Sequence, residues 1–311
     1  MKIEQDNDII IKEKKPRNKI VTIISILIIL TILVVIGIIV LMVHVEDSKL
    51  SVNIDGKKVN FTEDTFMFVE NTGELYVSIG DIAPLVGYEA HKGEYKVDSE
   101  DTTKMYVEAM NRTETTSFYL NSRLINKVPP DSEKDYESIQ ISAPVIENNG
   151  KLYVNAEGFT QGFNSVLTYN KAENDITIQT LPYLVLYYTN NITNYGFDKL
   201  SEDFANQKAL VYGMVVGSKQ TTGKYGVKNA RTNADIIGSR YNKIEFIEAS
   251  SEFIITNSSG KVGIAHSTGE TKINVQYDEI KVLDGKLRIL YSKKQFKIWS
   301  NKLKRRINST Y

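Results

Sequence analysis

The pattern of apolar and polar positions changes several times along the chain, and its first feature is an unbroken apolar run at 20–43. This run reads IVTIISILIILTILVVIGIIVLMV and contains no charged residue. It predicts a transmembrane helix, because about 20 apolar residues in a helix cross the hydrocarbon layer of a bilayer. The flank 12–19 before it holds five basic residues and one acid, whereas the linker 44–50 after it holds two acids and one Lys. The positive-inside rule therefore predicts a single-pass type II protein of the cell membrane, with a cytoplasmic tail at 1–19 and the bulk of the chain extracytoplasmic.

A cleaved signal peptide is the alternative interpretation of this run. The apolar core of a signal peptide is usually about 7–15 residues long and is followed by a cleavage site with small residues. The run in this chain is longer, and Met42-Val43-His44-Val45 offers no such site. We therefore expect an uncleaved signal-anchor.

Short segments of alternating apolar and polar residues follow from residue 51, and one of them occurs twice. FMFVENTGELYV at 66–77 and APVIENNGKLYV at 143–154 share six of twelve positions at an offset of 77 residues. A dense match at a fixed offset indicates repeated architecture. The first copy begins with a predicted hairpin at Asp55-Gly56, a dipeptide typical of tight hairpin turns.

Each Leu-Tyr-Val strand is followed by a segment with helical spacing of its apolar residues. Ser78 and Asn155 precede these segments and are the predicted N-caps. The polar stretch 126–142 between the copies contains Pro129-Pro130 and is predicted to be a surface loop.

The pieces GELYVSIGDIAPLVGYEA and GKLYVNAEGFTQGFNSVLTYNKAENDITI resemble the copper amine oxidase N-terminal-like domain, over about 51–181. The resemblance implies a duplicated α+β repeat domain, in which an antiparallel sheet is wrapped on a short helix. The family usually has Pro-Leu-Arg after its strand, whereas this chain has Ser78-Ile79-Gly80 and Asn155-Ala156-Glu157. The family domain is an appendage of the oxidase and not its catalytic part, so the resemblance implies no copper site.

A second periodicity begins near residue 196, in short β-branched segments bounded by Gly, Ser, Asn or Lys. GKYGV at 223–227 recurs as GKVGI at 260–264, and YNKI at 241–244 recurs as YDEI at 277–280. This spacing predicts an all-β repeat domain of hairpins over 196–300. The two motifs are similar to WG repeats of the KWG type. That resemblance implies an extracytoplasmic interaction module, with no catalytic residue to carry over.

The composition argues against several functional classes. With 38 basic and 38 acidic residues the formal net charge is zero, whereas a nucleic-acid-binding protein usually has a basic excess. The chain has no Cys and three dispersed His, so we predict no metal site and no cofactor. It has no nucleotide-binding glycine motif, no His-Glu-x-x-His and no Gly-x-Ser-x-Gly, so we predict no catalytic residue.

Tyrosines are concentrated in the junction 182–195 between the two predicted repeat domains. We take Tyr183, Tyr187, Tyr188 and Tyr195 as the candidate ligand-binding residues, because tyrosine combines a flat apolar face with a polar tip. The alternative is a packed seam of these side chains that binds no ligand. The basic tail 301–311 also has two interpretations. It contacts an anionic polymer, or it is a solvated chain end.

These features predict a non-enzymatic binding or scaffold module of a bacterial cell envelope, with cell-wall polymer or an envelope protein as its partner. Two alternatives of other classes stay open. An envelope hydrolase would use paired Asp or Glu side chains, which are plentiful in the chain. A sensory or regulatory subunit would relay an external signal through the tail 1–19 to a cytoplasmic partner.

Overall fold

The chain forms two compact units, Met1–Leu50 and Ser51–Tyr311. The computed structural model describes residues 28, 30–36, 50–97, 102–129, 137–283, 287–292, 295–300 and 307–310.

The transmembrane helix predicted at 20–43 is contradicted. Among the residues that the structure describes, no helix is long and apolar enough to cross a membrane. Within the predicted segment the described residues are Ile28 and 30–36, which are helical, whereas a membrane-spanning helix needs about 20 residues. The signal-anchor, the single-pass topology and the cell-membrane localisation that rested on this segment are corrected with it. The remainder of 20–43, the tail 1–19 and the linker except Leu50 lie outside the described residues.

The second unit is built mainly from short β-strands, with short helices between them. The strands are β1 (Ser51–Ile54), β2 (Lys57–Lys58), β3 (Phe66–Phe68), β4 (Leu75–Ser78), β5 (Glu89–Val97), β6 (Thr102–Met110), β7 (Thr115–Tyr119), β8 (Leu124–Val128), β9 (Glu137–Gln140), β10 (Ile146–Asn148), β11 (Lys151–Asn155), β12 (Ser165–Asn170), β13 (Asp175–Thr180), β14 (Lys199–Leu200), β15 (Met214–Lys219), β16 (Lys224–Asn229), β17 (Asp235–Tyr241), β18 (Lys243–Ile247), β19 (Glu252–Thr256), β20 (Val262–His266), β21 (Thr271–Tyr277), β22 (Glu279–Leu283), β23 (Leu287–Ser292), β24 (Gln295–Ser300) and β25 (Ile307–Thr310). The α-helices are α1 (Ile79–Ile82), α2 (Ala156–Phe163), α3 (Leu181–Asn190) and α4 (Phe204–Lys208), and 3-10 helices cover Glu63–Thr65, Ala83–Val86, Ile192–Tyr195, Ala209–Tyr212 and Glu248–Ser250.

The α+β repeat domain predicted for 51–181 is wrong, and the unit consists instead of several small sheets. The two copies do not fold separately. Their Leu-Tyr-Val strands, β4 and β11, pair with each other in a sheet of order β10-β11-β4-β3. Strand β1 pairs in parallel with the distant β13 in a second sheet, and β5 to β9 form a third, five-stranded antiparallel sheet. The copies thus share sheets, because each hydrogen-bonds its strands to strands of the other.

The later part of the chain forms three four-stranded sheets, each made of consecutive strands: β14 to β17, β18 to β21, and β22 to β25. The repeated sequence motifs occupy equivalent places in the first two of these sheets. Tyr225 is paired with Tyr241, and one sheet later Val262 is paired with Tyr277. The basic tail at 301–311 contributes β25, while 301–306 and Tyr311 lie outside the described residues.

The second glycine of each motif lies where two backbones come unusually close. Gly226 and Gly263 each face a β-bulge in the next strand, where the register of pairing shifts. A Cβ on Gly263 would be 2.5 Å from the carbonyl oxygen of Ile273 and 2.9 Å from the Cα of Val275. Glycine in a strand often marks such a close approach. The second glycine of the motif is therefore required because a side chain would not fit there. The first, Gly260, is favoured for a different reason: its φ of 75° is a backbone conformation that residues with a side chain rarely adopt.

We expect Gly263→Ala to lower the free energy of unfolding by about 1–3 kcal/mol, the usual cost of forcing an extra carbon into a packed site. The control is Gly238→Ala on β17, where a Cβ would meet nothing within 4 Å. Urea unfolding of both variants checks the prediction. An equal effect of the two substitutions would show that crowding is not the reason for the glycine.

Helix α3 connects the early and late parts of the unit through a shared apolar core. Leu181 and Leu184 of α3 are buried in one cluster with Phe197, Leu210 and Val215. The chain immediately before α3 ends β13, so the helix leaves the first group of sheets and packs on the second. This packing brings the end of α2, the start of α3 and α4 close together, and they border a cleft.

Candidate functional site

A cleft of about 720 Å³ opens between the early and late parts of the second unit. Its volume lies within the range of small-molecule sites, about 300–1,000 Å³. Most of its lining surface is apolar, and polar side chains from several elements lie among the apolar ones. The lining residues are Val86, Gly87, Tyr88, Glu89, Met110, Asn111, Arg112, Thr113, Phe163, Asn164, Ser165, Thr180, Leu181, Pro182, Val185, Phe204 and Gln207.

Two residues with positive φ place the deep polar groups of the cleft. Gly87, at φ 85°, ends the 3-10 helix Ala83–Val86 and turns the chain into β5, so that Tyr88 points inward and is buried. Asn164, at φ 45°, ends α2 and is also buried. Glycine and asparagine are the residues that tolerate this left-handed conformation best. The Asn164 amide donates to the Tyr88 hydroxyl at 3.3 Å.

The loop between β6 and β7 is held by one side chain. The Oδ1 atom of Asn111 accepts hydrogen bonds from the backbone N–H of Thr113 at 2.8 Å and of Glu114 at 3.0 Å. It also accepts from the hydroxyl of Thr113 at 2.8 Å. Asparagine commonly fixes turns in this way. The loop therefore presents Arg112, whose side chain is exposed, at a defined place on the rim of the cleft.

Next to Tyr88 and Asn164 lies a largely buried charge network, formed by Glu114, Lys127, Glu137, Lys208 and Glu248. The Lys127 ammonium donates to Glu248 Oε1 at 2.9 Å and lies 3.5 Å from Glu114 Oε1. The Lys208 ammonium donates to Glu248 Oε2 at 2.6 Å and lies 3.9 Å from Glu137. The first three of these positions precede the junction and Lys208 and Glu248 follow it, so the network ties the early sheets to the late ones.

The network is bonded directly to the cleft. Asn164 Oδ1 accepts from the Lys127 ammonium at 2.6 Å, and the Asn164 amide donates to Glu114. The Tyr88 hydroxyl contacts Glu114 Oε1 at 3.5 Å. Asn164 and Tyr88 therefore contact the network and line the cleft at once, and a change in the network should move these two polar groups of the cleft.

The pKa values of the network follow from burial and from its charge balance. Burial opposes the charge of Glu248, but Lys127 and Lys208 outweigh it and lower the pKa of that carboxyl from 4.5 to about 2. Burial raises the pKa of Glu137, and Lys208 only partly offsets this. Burial also raises the pKa of the Tyr88 phenol, which stays protonated as a donor.

The structure brings three of the four predicted tyrosines together. The rings of Tyr187 and Tyr188 on α3 are 5.2 Å apart, and those of Tyr188 and Tyr195 are 5.6 Å apart. Tyr183 takes no part in these ring contacts. The Tyr195 hydroxyl donates to the carbonyl of Ala230 at 2.9 Å, and burial raises the pKa of Tyr188 to about 12. Of the four, only Tyr187 is classed as exposed, at 50%, and none lines the cleft; a ligand role for them stays a prediction.

Sequence reasoning missed the cleft and the charge network next to it. Lys127 and Glu137 belong to the stretch 126–142 that was predicted to be a surface loop, whereas the structure places β8 and β9 there. The available signals were weak. Gly87 and Asn164 follow helical segments as typical C-terminal caps, and Asn111-Arg112-Thr113 reads as a turn. None of these patterns says that the three lie together.

No protein-family model matches the chain, and no curated protein matches it. The comparison with solved structures finds the extracellular domain of BT4673 from B. thetaiotaomicron in two structures. One, described as a one component system, has 10% identity and a TM-score of 0.23, covering 79% of this chain and 36% of that one. The other, described as a hybrid two component system, has 8% identity and a TM-score of 0.24, covering 82% and 34%. The chain thus spans about a third of each of those structures, and TM-scores this low do not show a shared fold.

Proposed function

We propose that the second unit is a non-enzymatic binding module that holds a small amphipathic ligand in the cleft. The observation that carries this proposal is the cleft itself, about 720 Å³ in volume, whose lining surface is mainly apolar but includes the polar side chains of Tyr88, Asn164 and the loop 111–113. Ligand sites of proteins typically combine these properties and lie where two parts of a fold meet. The ligand would bury its apolar body against Phe163, Leu181, Val185 and Phe204 and turn its polar end toward the loop 111–113.

Two polar groups of the cleft, Tyr88 and Asn164, are arranged in advance of binding. Asn164 and Tyr88 are fixed by Lys127 and Glu114, which are themselves almost fully buried, at 2% and 3% exposed. Groups held in this way lose little conformational entropy when a ligand arrives, and preorganisation of this kind raises affinity. The cleft residues come from both the early and the late part of the unit, so an occupant would contact both.

The contents of the cleft favour binding over hydrolysis. A hydrolase acting on glycosidic bonds needs two carboxyl groups on opposite sides of its substrate. Among the lining residues Glu89 carries the one carboxyl group. Glu114 and Glu248, which belong to the adjoining charge network, are buried at 3% and 4% exposed and are engaged by Lys127. The hydrolase alternative thus lacks a second acid at this site.

Filling the cleft tests the proposal. Val185 is half-buried on α3 and lines the cleft. We expect Val185→Trp to weaken the binding of Nile red, an uncharged apolar dye, by at least about tenfold, since the indole would occupy the space that the dye needs. Dye fluorescence measures the dissociation constant. Circular dichroism and the melting temperature establish that the variant is folded.

The matched control is Leu186→Trp, one position further along α3. Leu186 is 61% exposed and does not line the cleft, so the same indole there should leave dye binding unchanged. Met110→Trp, at an exposed position of the rim, repeats the test without altering a packed residue. Unchanged binding by both cleft variants, or equal losses in Leu186→Trp, would contradict the proposal.

A further inference from the structure

We infer that the ligand of this cleft is a carboxylate-headed amphiphile with a single long apolar chain, and that Arg112 binds its head group. This inference rests on the proposed function, since it names the chemical class of what the cleft holds. It depends on three features: an arginine without a partner among the described residues, a loop that fixes it, and an apolar space too large for a small polar solute.

Arg112 has no counter-ion among the residues that the structure describes. Within the described part of the chain its guanidinium makes no hydrogen bond, and no carboxylate lies within 4.0 Å of it. Other exposed cations of this unit do find partners, such as Lys243 with Glu245 at 2.7 Å and Lys272 with Glu270 at 2.9 Å. Arginine offers a planar fork of donors that matches a carboxylate. An unneutralised arginine on the rim of an apolar cleft is therefore complementary to an anionic head group.

The backbone beside Arg112 is held in place on both sides. Asn111 and Thr113 are joined by two hydrogen bonds to the same Oδ1 atom, each of 2.8 Å. Asn111 is also paired across the loop, since its backbone N–H donates to the carbonyl of Glu114 at 3.0 Å. The flexible side chain of Arg112 thus starts from a fixed point, which lowers the entropy lost when it closes on a head group.

Glu89 is the other charged residue of the lining, and its carboxylate would repel an anionic ligand. Its side chain is 84% exposed and lies 3.9 Å from the imidazole of His91. A carboxylate this well hydrated repels an anion only weakly, because water and salt screen it. A cationic ligand would instead need Glu89, and that difference can be measured.

The apolar part of the lining indicates that the rest of the ligand is apolar. Phe163, Leu181, Val185 and Phe204 come from α2, α3 and α4 and line the same cleft. Burying an apolar chain there gains free energy in proportion to the area removed from water. A linear chain can extend along this space while its head group stays at the rim with Arg112, where water remains accessible.

Three probes of equal chain length separate the possibilities: decanoate, decanol and decylammonium, each used below its micellar concentration at pH 7 to displace Nile red. We expect decanoate to bind about tenfold more tightly than decanol in this displacement assay, as one charge-assisted hydrogen bond to Arg112 would give. Arg112→Gln should remove this preference and leave decanol unchanged. Glu89→Gln, the matched control at the other rim charge, should keep or slightly strengthen it.

The outcomes distinguish this inference from the function on which it rests. Equal affinities for decanoate and decanol, or a preference that survives Arg112→Gln, would overturn the head-group assignment while the cleft still binds. Preference for decylammonium that is lost in Glu89→Gln would overturn it as well. Failure of all three probes, together with normal dye binding, would refute a single-chain amphiphile. Failure of the dye too would refute the proposed function.

Discussion

Lys127→Met should lower the free energy of unfolding by about 3–5 kcal/mol, the cost of breaking a buried ion pair by removing one partner. The Lys127 ammonium is 2% exposed and donates to Glu248 at 2.9 Å and to Asn164 at 2.6 Å. Without it, the buried carboxyl groups of Glu114 and Glu248 and the partly exposed one of Glu137 would share the single ammonium group of Lys208. Urea unfolding at pH 7 measures the loss.

The same variant should also weaken binding in the cleft. Asn164 would lose the donor that orients its carbonyl oxygen, and Glu114 would lose its nearer cation. The control is Lys272→Met, because Lys272 pairs with Glu270 at 2.9 Å on the surface, with 33% and 64% of the side chains exposed. An exposed pair of that kind contributes about 0–1 kcal/mol. A Lys127→Met variant no less stable than Lys272→Met would contradict the account of the network.

Acid should unfold the protein partly through Glu248. Its carboxyl has a pKa lowered from 4.5 to about 2 in the folded state. A group with a lowered pKa stabilises the fold above its unfolded value and loses that contribution as the pH falls toward its folded value. Glu248 should therefore contribute about 3 kcal/mol at pH 7, which disappears between about pH 4.5 and about pH 2.

The measurement compares the wild type with Glu248→Gln across this pH range. Other carboxyls titrate in both proteins, so the difference between the two isolates Glu248. We expect a stability gap at pH 7 that narrows steadily below pH 4.5. The contribution of Glu137 to the free energy of unfolding changes in the opposite direction. Because its pKa is raised in the folded state, that contribution becomes more favourable as the pH falls. A gap that stays constant from pH 7 to pH 2 would show that Glu248 is not charged in the folded protein.

Local structure was predictable where the signal lies in neighbouring residues. The hairpin at Asp55-Gly56 is present as β1 and β2, with positive φ at both turn residues. The cap predicted at Asn155 is confirmed, since its side chain accepts from the backbone N–H of Gly158. Ser78 precedes a helix as predicted but makes no side-chain capping bond. Each of these features depends on interactions within a few residues.

Pairing over long distances was not predictable, and it decided the fold. Strand β1 pairs in parallel with β13, at a sequence separation that no local pattern encodes. The two similar strands β4 and β11 pair with each other, although their likeness favoured two separate repeats. The burial of charged residues could not be predicted from the sequence for the same reason. Lys127 and Glu248 are 121 residues apart and look like solvated surface residues until the fold joins them.

The most direct test of the cleft is methyl NMR on protein labelled at its methionine methyl groups. The chain has six methionines. Met110 lines the cleft, whereas Met67 on β3 and Met214 on β15 do not. Decanol is the suitable probe, because its binding does not depend on a head-group charge. A saturable shift of the Met110 signal, with Met67 and Met214 unmoved, is the predicted result. An unmoved Met110 signal at saturating decanol, or shifts confined to the other methionines, would contradict the proposal that this cleft is the binding site.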